Sequence, residues 1–355
     1  MREVAAALAK AAAGERLSLE EGVALLKYAD IHALGKAADA VRRRLHPHRR
    51  VTFVIDRNIN YTNVCVCGCR FCAYYRRPGD PGAYVLSREE LFDKIEETIR
   101  AGGTSLLIQG GLHPDLGLDY YLDLLRSIKE RYNIHLHCFS PPEIVHMARR
   151  SGLTVREVLV RLKAAGLDSI PGGGAEILVD RVRRLISPHK ISWRQWVEVM
   201  REAHLLGLKT TATMMFGHLE TPEERVLHLV RVRDLQDETG GFTAFIPWSY
   251  QPRHTALGGE ETGSLDYLRT LAVSRLMLDN VPNIQVSWVT QGAKVAQVAL
   301  FFGANDFGST MLEENVVRAA GACYRVPLEE ILRCIREAGF IPAQRSTSYE
   351  VLREY

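Results

Sequence analysis

Short apolar runs and helix-start signals alternate along this chain, and that alternation is the tightest constraint on its fold. Strand candidates fall at 51–56, 104–109, 133–139, 167–170, 208–216, 242–247, 283–288 and 303–307. Among them the capping-box pattern Ser/Thr-x-x-Glu/Gln recurs, at Ser18/Glu21, Ser87/Glu90, Thr154/Glu157, Ser192/Gln195 and Thr221/Glu224. In each pair the hydroxyl and the acidic or amide side chain satisfy orphan amides of a first helical turn. Strand and helix in repeated alternation imply parallel strands joined by right-handed crossovers, and eight units predict an α/β fold, a (β/α)8 TIM-like barrel. The last two units are the least patterned, so a partial (β/α)6 barrel is the alternative. Residues 1–50 are expected to form a helical extension, 51–310 the barrel, and 311–355 a helical tail packed on it.

Barrel chemistry sits where strands end at their C-termini. Six such ends read NYTNVCVCGCRFC from Asn60, QGGLHP from Gln109, SPPE from Ser140, PGGGAE from Pro171, FGHLE from Phe216 and PWSYQP from Pro247. Glycine, proline and polar residues therefore gather on one predicted rim.

Composition excludes several classes. A net charge of +3 over 355 residues, with scattered positive side chains, calls for no nucleic-acid or anionic-membrane partner. The basic run 42–50 reads as a solvated helix end. No apolar run is long enough to span a bilayer, and the alanine-rich N-terminus, broken by Lys10, suits a helix better than a signal peptide. Four of the seven cysteines crowd into 65–72. Such clustering indicates metal binding in a reducing compartment, so a cytoplasmic protein is expected.

Cys65, Cys69 and Cys72 are spaced C-x3-C-x2-C directly after the first strand. Three thiolates on one loop can converge on a soft-metal centre. On a four-iron cube they leave one iron open, which the amine and carboxylate of S-adenosylmethionine (SAM) can chelate. Phe71 supplies an apolar wall beside it. Cys67 falls outside this spacing and is expected to point away. The competing reading is a zinc-stabilised, non-catalytic binding protein, with His113 or His137 as fourth ligand.

C-x3-C-x2-C after the first barrel strand is the radical SAM signature. NYTNVC, CRFCAYYR, QGGLHPDLGLDYYLDLL, HCFSPPEI, DSIPGGGAEIL, TTATMMFGHLET, FIPWSYQP, WVTQG and ANDFGSTMLEENV extend the likeness over roughly 50–345. Together they resemble the cyclic dehypoxanthinyl futalosine synthase family, of the futalosine route to menaquinone. Aminofutalosine synthase and the radical SAM parts of FO synthase are that family's near relatives and the alternative. The resemblance implies a [4Fe–4S] cluster, SAM, a nucleoside-like small-molecule substrate and an electron donor such as flavodoxin or ferredoxin. It implies that a 5′-deoxyadenosyl radical takes the ribose C4′ hydrogen and that the sugar radical closes onto the benzoate ring.

It also implies cofactor-binding roles for Gln109, Gly110 and Gly111, at the place of a Gly-Gly-Glu-like turn, and for Glu143. Glu220 is placed to reach SAM or the substrate ribose, or else to face solvent in its turn. His218 is a candidate proton acceptor for rearomatisation. Trp248 and Trp288 are candidates to stack on adenine or wall off the benzoate, with core filling as the alternative. Arg76, His113 and Gln291 are candidates for the substrate carboxylate. Gly172–Gly174 with Glu176 suit either close ligand approach or a tight turn, while Met214 and Met215 read as core.

Overall fold

A computed structural model describes residues 2–355. Its strands are β1 (Arg50–Val54), β2 (Asp56–Asn60), β3 (Ser105–Gln109), β4 (His135–Cys138), β5 (Ser169–Ile170) and β6 (Lys209–Phe216). They continue with β7 (Phe242–Ser249), β8 (Asn283–Ile284), β9 (Asp306–Ser309), β10 (Ile341–Arg345) and β11 (Val351–Glu354). Strands β2 to β8 pair in sequence order, all parallel. Past β8 the ring continues through Asn305 N–H to Ile284 O (3.1 Å) and Val286 N–H to Asp306 O (3.0 Å). β9 then pairs in parallel with β1, which runs into β2 with Ile55 alone between them. Counting β1 and β2 as one bent strand, the described residues complete the eight-stranded barrel, and the six-unit alternative falls.

The helices begin where the caps predict. All five capping boxes form, and Ser87 shows the geometry: Glu90 N–H donates to its Oγ (3.2 Å) while its own N–H donates to Glu90 Oε2 (2.8 Å). Such a cap contributes about 1 kcal/mol. The barrel helices pack on the strands, and Ser264–Met277 is buried on nearly all sides. The N-terminal helices Arg2–Ala13, Leu19–Tyr28 and Ile31–Leu45 pack outside the ring against Pro222–Thr239 and Ser264–Met277. The basic run is not wholly solvated, because Arg42 is buried with its guanidinium 4.6 Å from the Phe340 ring centroid.

Two expectations are corrected. The first strand does not stop at 56 but bends there and carries on to Asn60, so its first half serves a second sheet, ordered β11-β10-β1-β9. The tail 311–355 is helical only at Val316–Ala319 and Leu328–Glu337 among its described residues; it then forms β10, parallel to β1, and β11. Ile341–Arg345 carries a proline and no alternation, so its strand state comes from a partner about 290 residues away in sequence.

Inside the ring lies a cavity of about 310 Å³, from Gln109, Gly172 and Trp248 at the C-terminal rim to Asp56, His137 and Arg345 near the opposite end. Its walls come from alternate residues of the strands, among them Asn58, Thr211, Thr213, Ile246 and Trp248. At the lower end the fully buried Asp306 accepts from Arg345 Nε (2.5 Å) and Nη2 (3.0 Å) and from Thr52 Oγ1 (2.5 Å). This pair ties β9 to β10 and β1. Asp306→Ala should strand the Arg345 charge and cost about 3–5 kcal/mol in urea unfolding of the apoprotein, with the double variant Asp306→Leu/Arg345→Met recovering most of the loss.

Candidate active site

The loop after β2 carries the cysteines and is pinned on several sides. Cys65 N–H donates to Arg76 O (2.9 Å), Arg76 N–H to Asn63 O (2.8 Å), Val66 N–H to Leu112 O (3.1 Å) and Arg70 N–H to Ile186 O (2.8 Å). The Arg76 guanidinium donates back to the carbonyls of Ala73, Tyr74 and Tyr75, with 2.9 Å to the last. It staples the loop and is not among the described residues lining the cavity below.

All four cysteines of the loop are free thiols. Cys67 is buried beside Cys69. Gly68 turns the backbone at φ 59°, which leaves the buried Cys67 Sγ 3.5 Å from Cys69 Sγ. That contact brings Cys69 down to about 7, whereas burial pushes Cys65 and Cys72 up. Among the described residues no three His, Cys, Asp or Glu converge as the ligands of a single metal ion. Neither histidine proposed as a zinc ligand joins the loop. His113 Nδ1 accepts from Asp115 N–H (3.0 Å), and His137 lies inside the barrel with Nδ1 against Ser169 Oγ (2.6 Å). Three thiols on one loop, beside the buried cations Lys190 and Arg183 that offset anionic sulfur, fit a three-thiolate iron–sulfur cluster better than zinc.

Gly110 and Gly111 join the end of β3 to this loop. A Cβ on Gly111 would stand 2.1 Å from Val64 O and 2.8 Å from Cys65 Cβ, and one on Gly110 would enter the Tyr61 ring at 2.5 Å. The glycines thus admit the cysteine loop itself at close range. Glu143 locks the joint. One carboxylate oxygen accepts from Gly110 N–H (3.0 Å) and Tyr61 Oη (2.8 Å), the other from Ser140 N–H (2.7 Å) and Oγ (2.6 Å). Buried and fully partnered, it positions the turn and is absent from the cavity lining among the described residues.

Glu220 and His218 are likewise occupied. Glu220 accepts from Gly217 N–H (2.7 Å), His218 N–H (3.0 Å) and Arg225 Nη2 (2.7 Å). His218 donates from Nε2 to Met215 O (3.0 Å), and its Nδ1 accepts from Leu219 N–H (2.7 Å) and stands 3.2 Å from Glu220 Oε2, so the ring is engaged within its own turn. His113 sits on an outer loop, its carbonyl facing His146 Nε2 (2.9 Å). Gln291 donates to Ser249 Oγ (2.7 Å) and is not among the described residues lining the cavity.

Gln109, Trp248, Trp288 and the turn Pro171–Gly174 do line the cavity. Trp288 is fixed by a bond from Nε1 to Ser309 O (2.8 Å). Met214 and Met215 are core. The glycine turn lies against β6, where a Cβ on Gly172 would meet Thr211 O at 2.7 Å, and it ends at Glu176, held at φ 40°. Glu176 faces the cavity and pairs with Lys190 (2.8 Å), whose ammonium lies 5.2 Å from the Phe71 ring centroid. Lys190 is the residue the sequence did not disclose. Nothing in SPHKIS marks it, and its place beside the cysteines is set by the fold alone.

Residues 59–231 match the model of the radical SAM superfamily, and residues 239–354 that of the CofH/MqnC C-terminal region. A protein of Halalkalibacterium halodurans named cyclic dehypoxanthine futalosine synthase is 53% identical over 98% of this chain and 95% of its own. The chain belongs to the radical SAM superfamily. A Streptomyces coelicolor protein of the same name is 48% identical over 97% of this chain and 88% of its own. An Archaeoglobus fulgidus protein named 5-amino-6-(D-ribitylamino)uracil–L-tyrosine 4-hydroxyphenyl transferase is 45% identical over 89% of this chain and 93% of its own. The solved structure of methylornithine synthase, at 20% identity, shares the fold with a TM-score of 0.75 over 95% of this chain and 97% of its own. Radical SAM enzymes as a group use a [4Fe–4S] cluster and SAM, and no helix among the described residues is long and apolar enough to cross a membrane.

Two outcomes follow from this geometry. Gly111→Ala should push the cysteine loop off β3 and lower iron incorporation on reconstitution severalfold, while circular dichroism of the apoprotein stays near that of the parent. Asp56, on the cavity wall, is pushed up from 3.8 to about 6, chiefly by burial, against the Ser309 hydrogen bond. The folded state then binds more protons than the unfolded between those values, so this group's contribution to stability falls as pH rises from about 4 to 6 and is flat above. Asp56→Asn should match the parent near pH 4 and exceed it at pH 7.5 by up to about 3 kcal/mol.

Proposed function

We propose that this chain is a radical SAM cyclase that converts dehypoxanthine futalosine to its cyclic form. The observation that carries the reading is the 53% identity, across nearly the full length of both chains, to a protein of that activity by name. A cavity of about 310 Å³ with a Trp248–Trp288 wall also suits a nucleoside-like molecule bearing an aromatic ring.

When bound, the cluster and SAM supply a 5′-deoxyadenosyl radical able to take the ribose C4′ hydrogen. Cys65, Cys69 and Cys72 hold the cluster at the barrel mouth. Gln109 and the Gly172–Gly174 turn border the space below with polar and backbone groups. Glu176 turns a carboxylate toward that space, and Lys190 holds the carboxylate in place and offsets the sulfur charge. Ile246, Trp248 and Trp288 keep water from a carbon radical during ring closure. Val66 and Arg70 are exposed on the cysteine loop, where a small electron donor such as flavodoxin or ferredoxin reaches it.

The test is anaerobic turnover with SAM, a reductant and dehypoxanthine futalosine. The expected result is 5′-deoxyadenosine together with a product two hydrogens lighter than the substrate. 5′-Deoxyadenosine formed instead with tyrosine and 5-amino-6-(D-ribitylamino)uracil would favour the activity in the archaeal relative's name. Alanine at Cys65, Cys69 or Cys72 should abolish turnover and bound iron, from about four atoms to near zero, whereas Cys67→Ala keeps both.

A further inference from the structure

The lower end of the barrel cavity presents polar atoms that the protein leaves without partners. Asn58 on β2 is buried, and its Oδ1 has no hydrogen-bond partner among the described residues. Thr347 Oγ1 and Tyr349 Oη, carried into the barrel by the turn between β10 and β11, have none either. His137 belongs to the same wall, and the cavity touches all four residues. A second cleft, lined by His135, Asp168 and Lys209, lies beyond His137 and Thr347, so the C-terminal turn forms the partition that closes the barrel from below.

The turn is held under strain. Tyr349 sits at φ 68°, a left-handed conformation that side-chain-bearing residues rarely adopt. It is fixed by Tyr349 N–H to Ser346 O (3.1 Å), Ser346 N–H to Glu350 O (2.8 Å) and the Arg345 guanidinium, 3.9 Å from the Tyr349 ring centroid. Backbone strain in a turn of the cavity wall, together with buried hydroxyls left without partners at that wall, points to a surface that a ligand completes.

The charge at this depth limits which ligand. Arg345 spends Nε and Nη2 on Asp306, and Nη1 donates to Ser346 O (3.1 Å). Burial keeps His137 neutral, with its value lowered to about 3. A carboxylate pushed this far would meet Asp56, with Arg345 already paired to Asp306 behind the wall and no unpaired cation among the described lining residues. Asn58 Oδ1 requires a donor, and the two hydroxyls donate or accept, a pattern met by the hydroxyls of a neutral sugar. Above them the wall turns apolar at Ile246, Trp248 and Trp288.

We propose that the cavity floor of Asn58, His137, Thr347 and Tyr349 is the subsite for the neutral, hydroxyl-bearing end of the substrate, with the aromatic carboxylate end held toward the rim. This assignment rests on the cyclase reading above. It gives residues 345–349 a share in substrate selection.

The experiment measures binding of dehypoxanthine futalosine to reconstituted holoenzyme with S-adenosylhomocysteine in place of SAM. Tyr349→Phe should bind about tenfold more weakly and Asn58→Leu at least as weakly, with unchanged iron content. Because Tyr349→Phe removes a hydroxyl that has no partner, its thermal stability should equal or exceed the parent's. Among analogues each lacking one sugar hydroxyl, one should erase the gap between the Tyr349→Phe variant and the parent, while a carboxamide replacing the carboxylate should leave the gap intact. Variants that bind like the parent, or a gap erased by the carboxamide and by no deoxy analogue, would overturn the assignment while parent turnover leaves the cyclase reading standing. A parent that neither binds nor cyclises the compound removes the cyclase reading and this assignment together.

Discussion

A closed ring of parallel strands has no edge, so each peptide group within it has to find a partner in its neighbours or in a side chain. That requirement organises this molecule, because two members of the ring, β5 and β8, are only two residues long. Side chains continue the ladder where the strands give out. Asn305 Oδ1 accepts from Ile284 N–H (2.9 Å) and from Arg275 Nη2 (2.7 Å), while its Nδ2 donates to Asn283 Oδ1 (2.8 Å). Beside β5, Thr211 Oγ1 accepts from Gly172 N–H (3.0 Å), and Thr213 Oγ1 donates to Gly172 O (2.7 Å). The glycine turn that borders the cavity is therefore part of the barrel's own hydrogen bonding. The site and the scaffold share the same bonds.

The same demand decides which acids remain free for chemistry. Glu143 and Glu220 each stand at a strand end, where a carboxylate looks poised for a ligand. In the fold their oxygens are claimed by backbone amides and neighbouring side chains, and they shape turns. Glu176 differs, since its buried Oε2 accepts no hydrogen bond among the described residues and has the Arg183 guanidinium as an ion-pair neighbour at 3.5 Å. It lies in the cavity wall with Lys190 on its other oxygen. Local sequence does not separate these three acids, because the difference lies in which amides the folded chain brings to each.

Signals confined to one segment were legible in the sequence. The five caps, the strand–helix alternation and the C-x3-C-x2-C spacing each rest on residues within a turn or two of one another, and each predicts its element. Readings of single polar side chains and of the C-terminal segment were less legible, because residue type alone does not say which groups of the folded chain take up their bonds. Arg76 looked like a free cation until the carbonyls of its own loop took it up. Ser140-Pro-Pro-Glu143 is a sixth capping pair that the prolines obscured. The C-terminal strand could not be anticipated from IPAQR, since β1 is what makes it a strand.

Placing β10 against β1 also ties the finished barrel to the order of synthesis. Strands β2 to β8 can pair as the chain emerges, each with the strand just before it. The floor cannot form then, because Arg49 and Gly339, bonded at 2.8 Å, are 290 residues apart. Closing so large a loop is a slow, late step. Until it is made, the interior stays open at the end opposite the cysteines. A ribosome-bound chain therefore has its cysteine loop in place well before it has a closed chamber beneath it.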